Sequence, residues 1–154
     1  MTFPVGVLGP VQVAGHDAGG AAMRALLAAL ALTGSGSVRS VAALADDVWG
    51  EDQPQNPKAA LQTLVSRARA AGGSALVRSA PGGYALGVEE TDLQRAREIA
   101  LEATSRSDRD PRRIELLESA VALWRGELGH GDRHGPNPVD AGRRGRRAAA
   151  CDRG

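Results

Sequence analysis

Leu61-Gln62-Thr63-Leu64-Val65-Ser66-Arg67-Ala68-Arg69, followed by Pro81-Gly82-Gly83-Tyr84-Ala85-Leu86, is the stretch that decides the fold. Leu61, Leu64, Val65 and Ala68 recur at i, i+3, i+4 and i+7, which is the buried stripe of an amphipathic helix. Pro57, favoured at a first helical position, opens that helix, and Gly72-Gly73 closes it. On a helical wheel of about 100° per residue, the pole away from the stripe carries Ala59, Thr63, Ser66, Arg67 and Ala70. Small residues around one Arg permit close approach to base edges. Thr63, Ser66 and Arg67 supply donors there, while Lys58, Gln62 and Arg69 flank the pole within reach of phosphates. A solvated helix face would carry the same residues, so this helix does not decide the function by itself.

On the C-terminal side, Ala75 to Ser79 and Tyr84 to Val88 read as strands around Ala80-Pro81-Gly82-Gly83, a hairpin. On the N-terminal side two more helices are expected. Met23, Leu26, Leu27 and Leu30 form the stripe of the first, which Gly34-Ser35-Gly36 ends. Val41, Leu44, Ala45 and Val48 form the second, with Ser40 as its cap, Trp49 beside the stripe and Gly50 as its stop. Before them, Val5, Val7, Val11 and Val13 alternate around Gly9-Pro10 as a small hairpin. Three short helices followed by a hairpin make a winged helix-turn-helix, whose third helix enters the major groove while the hairpin lies along the backbone.

Beyond Glu89 the composition shifts. Leu93, Ala96, Ile99, Ala100 and Ala103 share one helical face. Asp110 and Pro111 then start another helix that carries Ile114, Leu117, Val121 and Trp124 toward one side, with Gly126 as its stop. From Gly129 onward the apolar period vanishes, and Arg143-Arg144-Gly145-Arg146-Arg147 sits in a Gly, Pro and Ala background that reads as disorder. The expected division is a winged helix over 1–88, a partial helical region over 89–128 and a tail over 129–154.

The 154 residues suffice for one ordinary domain, or for a small one and part of a second. Apolar residues make up 42% and aromatics 3%, so Leu, Val and Ala must fill the core. The net charge of +1 conceals a segregation. Residues 1–88 hold six basic and five acidic groups, residues 89–128 seven and ten, and residues 129–154 six and three, so any anion-binding surface must be local. A lone Cys151 excludes an intramolecular disulfide and a cysteine-based zinc cage. His130 and His134 lack helix signals and a third ligand, and Gly6 and Gly9 do not complete a dinucleotide-binding loop. No Ser, His and carboxylate set suggests catalysis. The reading is therefore not an enzyme, with no metal and no cofactor. Trp49 and Trp124 are expected in the core, and Tyr84 is expected to pack the wing on the helices. The apolar run Ala25 to Leu32 is too short for a bilayer, and Met1 to Gly20 lacks the basic start of a secretion signal, so the expectation is a soluble cytoplasmic protein without membrane partners.

These residues also resemble a family. Val7-Leu8-Gly9-Pro10-Val11-Gln12-Val13, Arg24-Ala25-Leu26-Leu27-Ala28, Leu44-Ala45-Asp46-Asp47-Val48-Trp49-Gly50, the Leu61 to Arg69 and Pro81 to Leu86 stretches, and Ala122-Leu123-Trp124-Arg125-Gly126 are similar, in order, to signatures of the SARP-type bacterial regulators. The resemblance covers residues 5 to 128. It implies an α+β fold, with an OmpR-like winged helix-turn-helix followed by a partial all-α helical-hairpin region of TPR-like type, the start of a bacterial transcriptional activator domain. It further implies a sequence-specific regulator of transcription, often of secondary-metabolite genes, with double-stranded DNA and RNA polymerase holoenzyme as partners and homodimerisation as an option. Carried over by position, Thr63, Ser66, Arg67 and Arg69 fall on the family's DNA-contacting sites, and the wing falls on Arg78 through Leu86. With the flanking residues, the expected DNA-binding set is Lys58, Gln62, Thr63, Ser66, Arg67, Arg69 and Arg78. Two departures stand out: the short Gly15 to Met23 stretch replaces the usual third N-terminal strand and basic entry to the first helix, and Ala68 replaces a Leu. The competing readings are a protein-interaction module that has lost DNA binding, favoured by the near-neutral charge of residues 1–88, and a truncated fragment of a larger regulator.

Overall fold

The structure, a computed structural model, describes residues 2–126, so the expectations for the 129–154 tail, His130, His134, Cys151 and the Arg143 to Arg147 run lie outside the described residues. Its first layer is a three-stranded antiparallel sheet of β1 (Val5–Gly6), β2 (Gln12–Val13) and β3 (His16–Asp17). Three helices follow: α1 (Ala21–Thr33), α2 (Val41–Trp49) and α3 (Pro57–Gly72), with a two-residue strand β4 (Arg39–Ser40) before α2. A second sheet, in the order β4-β6-β5, holds the wing strands β5 (Val77–Ala80) and β6 (Gly83–Leu86). A helical pair, α4 (Asp92–Thr104) and α5 (Pro111–Ala122), completes the described chain.

The third N-terminal strand is present, which corrects the expectation of an incomplete first sheet. Val13 pairs with His16, and the two residues between them, Ala14 and Gly15, both have positive φ, 49° and 81°. That is the geometry of a two-residue hairpin turn matched to strand twist, and Asn-Gly is its usual signature. Ala-Gly conceals it. The wing strands begin two residues after the expected Ala75 and end two before the expected Val88, and β4 was not expected. β4 pairs with the central strand β6, Arg39 opposite Tyr84 and Ser40 opposite Gly83. The approach is so close that a Cβ on Gly83 would lie 2.0 Å from the Arg39 carbonyl oxygen, so only glycine fits.

Helix ends follow local chemistry. Ser40 Oγ accepts from the Ala43 N–H at 3.1 Å to start α2, and Asn56 Oδ1 accepts from the Ala59 N–H at 3.1 Å to start α3. Thr91 and Asp110 cap α4 and α5 in the same way. The Arg112 N–H and the Arg106 guanidinium beside Asp110 hold its carboxyl below the ordinary carboxylate range.

Leu26, Leu27 and Leu30 from α1, Leu44 from α2, and Leu61, Val65 and Ala68 from α3 meet Leu76, Val77 and Leu86 of the wing segment and the valines of the first sheet in one core. All the stripe residues expected in α1 and α3 are buried there, Tyr84 is buried too, and Trp49 packs on the margin. α5 differs from expectation. It ends at Ala122, before Trp124, and the stripe of Ile114, Leu117, Val121 and Trp124 faces solvent, so Trp124 lies outside the core where it was expected. The α5 residues turned inward are Leu116 and Ala120, half-buried, followed by half-buried Leu123 just past the helix end. On α4 the expected face holds, with Ile99 and Ala103 buried.

The helical pair is joined to the first sheet at Asp92, which is 1% exposed. Its Oδ1 accepts from the Val7 N–H at 2.8 Å and the Leu93 N–H at 2.8 Å, and its Oδ2 accepts from the Leu8 N–H at 3.0 Å and Arg125 Nη2 at 3.1 Å. Arg125 also donates from Nη1 to the Pro10 carbonyl at 3.2 Å, and its own N–H donates to the Leu8 carbonyl at 2.7 Å. Gly9, at φ 127°, lets this segment lie flat: a Cβ there would stand 2.9 Å from that of Arg125.

Candidate nucleic-acid interface

The core stripe of α3 fixes what the helix shows to solvent. With Leu61, Leu64, Val65 and Ala68 inward, Lys58, Gln62, Thr63, Ser66 and Arg67 are exposed on the remaining surface. Small Ala59 and Ala70 lie exposed among them, so the backbone of this face can approach a partner closely. The structure thus gathers five of the seven expected DNA-binding residues on one helix surface. The Thr63 hydroxyl donates to the Ala59 carbonyl at 3.2 Å, which leaves its lone pairs free to accept.

The other two residues are placed differently. Arg69 is half-buried at the helix's last turn, where Nε donates to the Val77 carbonyl at 2.9 Å and Nη2 donates to Ser79 Oγ at 2.9 Å. Its guanidinium therefore lies along β5. Arg78 is exposed on β5, and because successive strand residues alternate sides, it does not share the face of Val77 and Ser79. It lines a cleft with the Gly34 to Gly36 loop, Gly87, and Glu89 and Glu98 of the α4 segment, so two carboxylates temper the positive potential it offers.

The wing is held by its neighbours. The Gly36 N–H donates to the Leu86 carbonyl at 2.9 Å, Ser35 Oγ donates to the Val88 carbonyl at 2.7 Å, and Arg39 pairs with Asp47 of α2. The loop between α2 and α3 is pinned as Gln53 Nε2 donates to Asp46 Oδ1 at 2.7 Å. Sequence reasoning missed the Arg69 bonds to the wing and the Asp92 joint. An Arg at the last turn of a helix before a two-residue glycine break was a signal for the first, and nothing local announced the second.

Among the described residues no group of three or more His, Cys, Asp and Glu could hold a metal ion. No described helix is long and apolar enough to cross a membrane. The arrangement offers a positively flanked helix surface beside a hairpin.

Against known proteins, no family model matches the chain. The transcriptional regulator RedD of Streptomyces coelicolor is 36% identical over 165 aligned residues, covering 95% of this chain and 44% of RedD. The regulatory protein AfsR of the same organism is 40% identical over 134 residues, and its counterpart in Streptomyces griseus is 37% identical over 130. They cover 80% and 79% of this chain and 13% of each AfsR. The chain thus spans less than half the length of these relatives, each of which is named a regulator or a regulatory protein. Among solved structures, Mycobacterium tuberculosis EmbR, in complex with a low-affinity phosphopeptide, aligns with a TM-score of 0.69 at 24% identity, over 82% of this chain and 37% of EmbR. At that identity the likeness is one of fold.

Proposed function

We propose that this SARP-type chain reads double-stranded DNA as a cytoplasmic transcriptional regulator, with α3 in the major groove and the wing on the adjacent backbone or minor groove. The observation that carries this is the exposed surface of α3. Its donors and small residues stand opposite a fully committed core stripe, in a winged helix whose sequence relatives include a transcriptional regulator and a regulatory protein. In this reading Arg67 contacts a base edge, Ser66, Thr63 and Gln62 contact bases or sugar-phosphate, and Lys58 neutralises a phosphate at the start of the helix. Residues 1–88 act as the reader. Residues 89–128 begin an activator domain through which RNA polymerase holoenzyme is engaged, and the exposed stripe of Ile114, Leu117, Val121 and Trp124 is the face of a homodimer.

Gel-shift titration of the full chain on duplexes it selects from a random-sequence library, at two salt concentrations, tests the reading. Arg67→Ala is expected to weaken the selected duplex by the equivalent of about 1–3 kcal/mol while changing random DNA less. Lys58→Ala is expected to weaken both alike and to reduce the salt slope by about one. A folded Arg67→Ala protein that holds the selected duplex as tightly as the parent refutes the placement of α3. For the homodimer, sedimentation showing a strict monomer at high concentration removes it.

A further inference from the structure

β5 is the edge strand of the wing sheet, and its outward backbone groups need partners. The Gly87 N–H donates to the Leu76 carbonyl at 2.9 Å, which makes Leu76 and Gly87 a hydrogen-bonded pair. Such pairs alternate in an antiparallel ladder, so at Val77, opposite Leu86, and at Ser79, opposite Tyr84, the backbone groups point away from β6. Arg69 Nε donates to the outward carbonyl of Val77, and Nη2 reaches Ser79 two residues further along. Val77 is fully buried, so its carbonyl has little access to water as an alternative.

We propose that Arg69 is a positioning residue, holding the wing at a fixed pitch against α3, and not a DNA donor. The rigid, planar guanidinium suits this role: two donors at fixed separation set both the distance and the angle between helix and strand. Two arginines two residues apart on α3 then divide the work, exposed Arg67 facing outward and half-buried Arg69 facing the wing. The division rests on the DNA-reading proposal for Arg67 only. The strut itself is a property of the free protein.

The test uses the full chain, first without DNA. In Arg69→Ala, amide exchange at Arg78, Ala80, Gly83 and Ala85 is expected to rise at least about tenfold, because the charge-assisted bond to the Val77 carbonyl is lost, while exchange at Leu64 to Ala68 stays at the parent rate. Ser79→Ala, which keeps the Nε bond, gives a smaller rise and decides the matter if Arg69→Ala fails to fold. On a duplex selected by the parent from a random-sequence library, Arg69→Ala keeps the salt slope of the parent and the central hydroxyl-radical footprint, and loses protection at the flank covered by the wing. Unchanged wing exchange overturns the strut. A slope reduced by about 0.9, the value of one lost phosphate contact, overturns the exclusion of Arg69 from DNA. A uniform loss of the footprint together with faster exchange in α3 overturns positioning in favour of general destabilisation. If the parent selects no duplex, the DNA reading falls and the exchange measurement alone decides the strut.

Discussion

Replacing Asp92 with Ala tests how firmly the first sheet is tied to the helical pair. The side chain is 2% exposed and accepts four hydrogen bonds, two of them from the otherwise unpartnered amides of Val7 and Leu8. Truncation leaves those two buried N–H groups without an acceptor, at about 1–3 kcal/mol each. The Arg125 guanidinium loses its counter-ion too, but its side chain is 32% exposed and can rehydrate, so its share is small. The expected cost is about 3–5 kcal/mol, the range for removing one partner of a buried pair. Arg125→Ala is expected to cost less, about 1–2 kcal/mol, because Asp92 keeps its three backbone donors. Urea titration followed by circular dichroism measures both as shifts of the midpoint at constant slope. An Asp92→Ala protein less than about 1 kcal/mol below the parent, or a cost for Arg125→Ala exceeding that for Asp92→Ala, would refute the view that amide satisfaction at Val7 and Leu8 dominates this joint.

Ala14→Asn, at φ 49°, places a residue tolerant of the left-handed region into the β2–β3 turn and is expected to raise stability by about 0.5–1 kcal/mol; an unchanged or lowered midpoint contradicts the turn assignment. Gly83→Ala sets a Cβ against the Arg39 carbonyl and must separate β4 from β6, with an expected loss of about 3 kcal/mol or more, read by thermal melting. Asp110 has a depressed folded-state pKa, so its contribution is present above the ordinary value of 3.8 and is lost as the pH falls through the lower folded value. The parent should therefore lose stability in that acid window by more than Asp110→Asn does, and parallel stability profiles for the two proteins would count against it.

The winged helix was legible because its decisive elements are local. The stripe of α3 repeats at 3.6 residues, Pro57 and Gly72-Gly73 bound it, and Pro81-Gly82-Gly83 turns the wing. The parts that were not legible depend on contacts distant in sequence. β4 is two residues long and exists only because β6 lies beside it. The Ala14-Gly15 turn lacks the Asn that would announce it. α5 is apolar on two sides, Ile114, Leu117 and Val121 on one, and Leu116 and Ala120 on the other, and periodicity cannot say which of them α4 will cover. At the candidate site, the wheel correctly separated the buried from the exposed residues of α3, but it could not show that Arg69 bends toward β5. Asp92 reads locally as an acidic residue in the first turn of a helix, and its partners stand 84 and 85 residues earlier in the chain.

That last separation bears on the order in which the protein takes shape. The Leu8 carbonyl receives its proton donor from Arg125, and the amides of Val7 and Leu8 receive their acceptor from Asp92, so the segment between β1 and β2 waits on almost the whole described chain. At synthesis rates of about 5–20 residues per second, Leu8 emerges several seconds before Arg125 does. In that interval β1 can pair with β2 and the helices and wing can pack on that sheet, while the Val7 and Leu8 amides wait for Asp92 and the Leu8 carbonyl waits for Arg125. The segment beside the oldest strand of the nascent chain is thus among the last to be closed, its amides when Asp92 arrives and its Leu8 carbonyl when Arg125 does.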